Sequence, residues 1–158
     1  MQEQQLFVTK FLSHVIKGGK YAFFDSTSLH VWNKSARTWR YSDHLHPDRQ
    51  FSCNLQRQRG KSINIQGILC DDGRFYNAIT EKTDGVNIRM FFEKHIRNMS
   101  GYVLVLDNFG CHHMPETIHC LEKLGITPFF LPVNSSPLNS IETMWACCKS
   151  RFHKWLFR

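Results

Sequence analysis

Three carboxylates carry the most chemical information in this chain. Asp25 closes the apolar run Tyr21-Ala22-Phe23-Phe24, and Asp107 closes Tyr102-Val103-Leu104-Val105-Leu106 and is followed by Asn108. Glu142 lies in Leu138-Asn139-Ser140-Ile141-Glu142-Thr143-Met144-Trp145, with 34 residues, 108–141, between it and Asp107. An acid at the end of each of two buried strands, with a third on a helix, can hold hard divalent cations through oxygen ligands. Two such ions cut or join phosphodiesters. Singly, each acid has an ordinary reading. Asp25 can be a polar residue where a strand meets the turn Ser26-Thr27-Ser28. With Asn139 as N-cap, Glu142 can close an Asn-x-x-Glu capping box. Asp107 ends too apolar a strand to be read so easily. Asn108 and His112 follow it, and His112 reads either as a group orienting a water or phosphate or as a packed histidine.

The elements that must position these acids follow from periodicity. Phe7, Phe11, Leu12, Val15 and Ile16 predict a short amphipathic helix over residues 1–18, ended by Gly18-Gly19. Residues 20–25 predict a buried strand, and Leu29 to Trp32 and Thr38 to Tyr41 two short strands around Asn33-Lys34-Ser35. Residues 43–61 are polar and irregular. Ile63, Ile65, Gly67 and Leu69 alternate along a strand over 62–70, Asp71-Asp72-Gly73 signals a hairpin, and 74–80 is the return strand. A helix from about Asp84 carries Ile88, Phe91, Phe92, His95 and Ile96 on one stripe. A strand over 102–107 follows, then a helix from Pro115 to Gly125. A strand over 126–131 and a last helix with Ile141, Met144, Trp145, Cys148, Phe152 and Trp155 complete the order. Strands in a meander followed by alternating helix and strand predict an α/β fold, a mixed sheet with helices on its faces.

A chain of 158 residues, 42% apolar with 13 Phe and four Trp, is expected to form one domain with a real core. No apolar stretch approaches the roughly 20 residues that cross a bilayer, and the start, Met1-Gln2-Glu3-Gln4-Gln5, does not read as a secretory signal. Twenty basic against 13 acidic residues give +7, which suits a polyanionic partner without identifying one. The cysteines Cys53, Cys70, Cys111, Cys120, Cys147 and Cys148 form no CxxC pair, so reduced thiols in an intracellular compartment are expected. A structural zinc site drawing on His44, His46, His112, His113 or His119 is the alternative, without the usual ligand spacing.

Phe23-Phe24-Asp25-Ser26-Thr27, Gly60 to Cys70, Val105 through His112, and Leu131-Pro132 through Trp145 together resemble the catalytic domain of mariner-type DDE transposases. The 34-residue gap is that of the family's DD34E branch, within the RNase H-like, retroviral-integrase-like group. The resemblance covers roughly residues 20–155. It implies an RNase H-like mixed five-stranded sheet with helices on both faces, plus a small inserted hairpin. It also implies that Asp25, Asp107 and Glu142 bind two Mg²⁺ or Mn²⁺ ions and drive DNA strand cleavage and transfer, supported by Asn108, His112 and Asn139. DNA would be the partner, in a homo-oligomeric complex without a membrane, and in a eukaryote the site of action would be the nucleus. Ser26 stands where the family usually has an acid, and Ser140 where it usually has Pro. With about 19 residues before the first strand, the family's helix-turn-helix modules are not expected in residues 1–158.

Two basic sets could meet phosphates: Lys34, Arg37 and Arg40 beside Trp32, Trp39 and Tyr41, and Arg57, Arg59 and Lys61 before the next strand. Each also reads as a solvated loop. The tail Lys149, Arg151, His153, Lys154 and Arg158 could face DNA or water. Three functions remain open at this point: a metal-dependent strand-transferase, a non-catalytic DNA-binding or interaction module, and a nuclease without a joining step.

Overall fold

The computed structural model describes residues 2–30 and 62–156. The expected hairpin around residues 33–41, the irregular segment 43–61, both basic loop sets (Lys34, Arg37, Arg40, Arg57, Arg59 and Lys61) and Arg158 lie outside the described residues.

Helix α1 spans Gln2–Ile16. Strand β1 (Tyr21–His30) pairs antiparallel with β2 (Ser62–Cys70), which pairs antiparallel with β3 (Phe75–Thr80). Helix α2 (Gly85–His95) leads to β4 (Val103–Leu106), and α3 (Pro115–Lys123) to β5 (Thr127–Phe130). Helix α4 spans Ile141–Leu156. The strand order is β3-β2-β1-β4-β5, with β4 parallel to both β1 and β5. This is the mixed five-stranded sheet expected from the sequence.

Local chemistry explains the element ends. Asp84 caps α2, accepting the Asn87 N–H at 2.9 Å. Pro115 occupies the first turn of α3, where a missing N–H costs nothing. After α3, Gly125 (φ 71°) donates to the Glu122 carbonyl and Ile126 to the Leu121 carbonyl, a Schellman stop that only a residue tolerant of left-handed φ makes cheaply.

Alternation along the strands sends successive side chains to opposite faces, and each face has its own core. On one, Ala22, Phe24, Ile68, Leu104 and Leu106 meet Ile88, Phe91, Phe92 and Ile96 of the α2 segment and Cys120 and Leu121 of α3. On the other, Phe23 and Val105 meet Phe7 of α1 and Ile141 and Trp145 of α4, together with Leu131. Helices therefore cover both faces.

One strand differs from expectation. Asp25 does not end β1. It sits mid-strand opposite Gly67, and the ladder with β2 continues to His30 opposite Ser62. The polar triplet Ser26-Thr27-Ser28 reads as a turn in isolation. In the sheet β2 satisfies its backbone, and Thr27 and Leu29 are buried. The strand expected at 29–32 is thus, in its described part, the end of β1.

Candidate active site

The parallel register of β1 and β4 places Tyr21, Ala22 and Phe23 beside Val103, Leu104 and Val105. Carried two residues further, the same offset sets Asp25 level with Asp107, one residue past the end of β4. Asp25 follows Phe23, and Asp107 follows Val105, by two positions. Asp25 therefore stands on the α1/α4 face of the sheet, while Asp107, past the end of β4, is held by His112, whose ring packs on Phe24 of the other face. Helix α4 begins on the face that carries Asp25, with Glu142 in its first turn.

Gly67 explains how α4 approaches so closely. A Cβ on Gly67, directly opposite Asp25, would lie 2.7 Å from the Trp145 ring, which also packs edge-on against Phe75 at 5.7 Å. A glycine inside a strand often marks such a close approach. Trp145 is one turn after Glu142, so its seat on the bare backbone of β2 fixes the turn that carries the acid. The alternation Ile63-Ile65-Gly67-Leu69 held this signal, but which side chain fills the gap could not be read from it.

The charges of the other two acids act on Asp25. Burial pushes the Asp25 carboxyl up, the Ser26 N–H at 2.7 Å pulls it down, and the charges of Glu142 and Asp107 push it further, with His112 opposing, to about 7. Asp107 behaves oppositely. Burial raises it, but hydrogen bonds from His112 and from the Phe109 N–H outweigh burial and hold it below the usual carboxylate range. His112 is packed and also bonded to the acid: its buried ring places Nδ1 2.6 Å from Asp107 Oδ1 and lies edge-on to Phe24. Its Nε2 is buried without a partner among the described residues. Asn108 donates from Nδ2 to the Leu131 carbonyl, tying the loop after β4 to the end of β5, and its Oδ1 lies 3.1 Å from His113 Nε2.

Asn139 departs from expectation. It does not close a capping box. The Glu142 N–H bonds to its main-chain carbonyl at 3.0 Å, α4 starts only at Ile141, and the Asn139 side chain is buried with Oδ1 unpartnered among the described residues. A tight turn over Ser136–Leu138 ends at Asn139, whose backbone is extended (φ −91°, ψ 99°).

Asp25 and Asp107 each commit Oδ1 to backbone or His112 donors and leave Oδ2 without a hydrogen bond among the described residues. Glu142 is exposed. As the side chains stand, no three His, Cys, Asp or Glu among the described residues are gathered at metal-ligand spacing, for the acids or for a zinc site. The donor set nonetheless suits a hard cation: three carboxylates, two with an open oxygen, and mutual repulsion that positive charge relieves.

The family model for DDE superfamily endonucleases matches residues 21–158. The chain belongs to the DDE endonuclease superfamily. Solved structures similar to this DDE domain include the Mos1 transposase paired-end complex with the left transposon end, at TM-score 0.67 and 14% identity over 94% of this chain and 47% of that one. The Mos1 mariner paired-end complex with Mn superposes at 0.62 and 14% identity, covering 99% and 53%. The catalytic core domain of BIV integrase superposes at 0.54 and 16% identity, covering 85% and 70%. The fold of the DDE domain is thus the RNase H-like fold of transposase and integrase cores, as the mariner-type resemblance implied. The chain spans about half the length of the Mos1 chain. No curated protein sequence matches it.

Proposed function

We propose that this DDE domain is a metal-dependent DNA endonuclease and strand-transferase of the kind used in transposition or integration. The observation that supports the proposal is that the charges of Glu142 and Asp107 both act on Asp25, with β1, which carries Asp25, parallel to β4, which leads into Asp107. Asp25, Asp107 and Glu142 would hold Mg²⁺ or Mn²⁺. A pair of such ions supplies a nucleophile at neutral pH and stabilises the leaving oxygen of the phosphodiester.

The chain's own residues set up that chemistry. Asp107 stays ionised because His112 and the Phe109 N–H occupy Oδ1, so Oδ2 carries charge without a protein partner. Asp25 retains a proton near neutral pH and gives it up when positive charge is brought beside it. Asp25 stands within the sheet and Asp107 directly after β4, and exposed Glu142 would complete the set from the seated first turn of α4. The +7 charge suits DNA, whose phosphates would be met without sequence readout. A homo-oligomer on DNA, acting in the nucleus of a eukaryotic host, fits this reading.

A second reading has its own observation. The carboxylates are not gathered at ligand spacing, which suits an inactive, transposase-derived binding module. One experiment separates the readings: nicked or end-bearing DNA with Mn²⁺, alongside Asp107→Asn. Cleavage lost in the variant supports the enzyme, and joined products support strand transfer over a simple nuclease. Binding with no cleavage overturns the enzymatic reading. The melting temperature should also rise with millimolar Mn²⁺ in the native chain and not in Asp107→Asn.

A further inference from the structure

Phe109, the second residue after Asp107, has no place in either core and is 47% exposed. It is nonetheless held. Its N–H donates to Asp107 Oδ1 at 3.1 Å, its carbonyl accepts from the His112 N–H at 2.8 Å, and its ring lies edge-on to His112 with centroids 5.7 Å apart. The aromatic ring is therefore anchored to the two residues that define one side of the acid site while much of it stays open to solvent. Gly110 follows, and a Cβ there would meet nothing within 4 Å among the described residues, so the chain beside Phe109 is itself open. A lone exposed apolar residue is ordinarily unremarkable. An exposed aromatic pinned by backbone and ring contacts at the lip of a carboxylate site has a more specific use.

We propose that Phe109 is a nucleobase platform: the base beside the scissile phosphate stacks on its ring as a DNA strand enters the acid site. This deepens the reading of Asp25, Asp107 and Glu142 as a DNA-cleaving centre and rests on it. Every base has a π-face, so the contact positions the strand without reading its sequence. It complements phosphate contacts, which attract the backbone but do not fix where a base lies.

The test uses nicked DNA carrying 2-aminopurine at each of the three positions on either side of the nick, bound in Ca²⁺ by the full chain, Phe109→Ala and Phe109→Tyr. Stacking is read as quenching of the probe. Quenching by the native chain and Phe109→Tyr but not by Phe109→Ala is expected, with a loss of affinity of about 5- to 150-fold in Phe109→Ala, the range for one base–aromatic stack. An unchanged melting temperature in Phe109→Ala shows that the fold is intact. Equal quenching by Phe109→Ala, or no quenching at any position by the native chain, overturns the proposal. Quenching that depends on Phe109 in a chain that never cleaves with Mn²⁺ keeps the platform and removes the catalytic reading, so the two failures are distinct.

Discussion

The two faces of the sheet are built from the same strands and do different work. Toward α2 and α3, β1 presents Ala22 and Phe24, part of a continuous apolar layer that runs through Ile68, Leu104 and Leu106. Toward α1 and α4, the same strand presents Tyr21, Phe23 and then Asp25, and the aromatic layer of Phe7, Phe11, Phe23 and Phe129 gives way to a carboxylate. Because the strand period is two, Phe24 and Asp25 are neighbours in sequence and on opposite sides of the sheet. A slip of one residue would exchange the acid and the ring between the two faces. The hydrophobic face thus holds the register that the polar face needs.

Substitutions on the two faces should separate stability from chemistry. The largest effect is expected for Asp107→Asn, which should lower Mn²⁺-dependent DNA cleavage by on the order of 10³-fold or more with little change in urea midpoint. A parallel collapse of stability would mean that the acid site is also structural. Phe24→Ala should invert that pattern. Loss of a fully buried ring is expected to cost about 3–5 kcal/mol in chemical denaturation, and any lost activity should follow unfolding.

The electrostatic difference between the faces gives a pH test. Asp25 keeps its proton in the folded chain up to about pH 7, whereas an unfolded aspartate releases it near pH 4. The folded state therefore binds more protons across that window. The contribution is fully present below about pH 4 and is lost as pH rises through about 7. In EDTA, Asp25→Asn should be more stable than the native chain at pH 8 by on the order of 2 kcal/mol, with the difference vanishing by pH 4. Identical pH profiles for the two proteins would sink the burial and like-charge account. Added Mn²⁺ should stabilise the native chain more at pH 8 than at pH 6, because the proton and the cation compete for Asp25.

Smaller effects sharpen the contrast. Gly67→Ala puts a methyl into the Trp145 ring and should cost about 1–3 kcal/mol, with loss of activity beyond what instability explains if α4 shifts. Gln4→Ala removes the Nε2 bond to Ser135 Oγ at 3.0 Å, which ties α1 to the loop leading into α4. About 1 kcal/mol or less is expected from thermal melting.

Much of this fold was legible because it rests on local rules. Pro115 and Gly125 bound a helix, Gly73 (φ 84°) turns the β2–β3 hairpin, and the stripe from Ile88 to Ile96 packs as its period requires. What local rules miss is what a neighbouring strand supplies. Ser26-Thr27-Ser28 became strand because β2 pairs with it, and Asn139, outside α4, is buried in the folded chain.

The chain alone determined the identity and spacing of three carboxylates, their apolar settings and the α/β order, since each depends on residue type and periodicity over a few neighbours. Tertiary structure decided that β4 lies beside β1, that Gly67 seats Trp145 under the first turn carrying Glu142, and that burial and like charge raise Asp25 while hydrogen bonds from His112 and the Phe109 N–H hold Asp107 low. Strand order, close approach and desolvation arise between residues distant in sequence, and no local pattern encodes them.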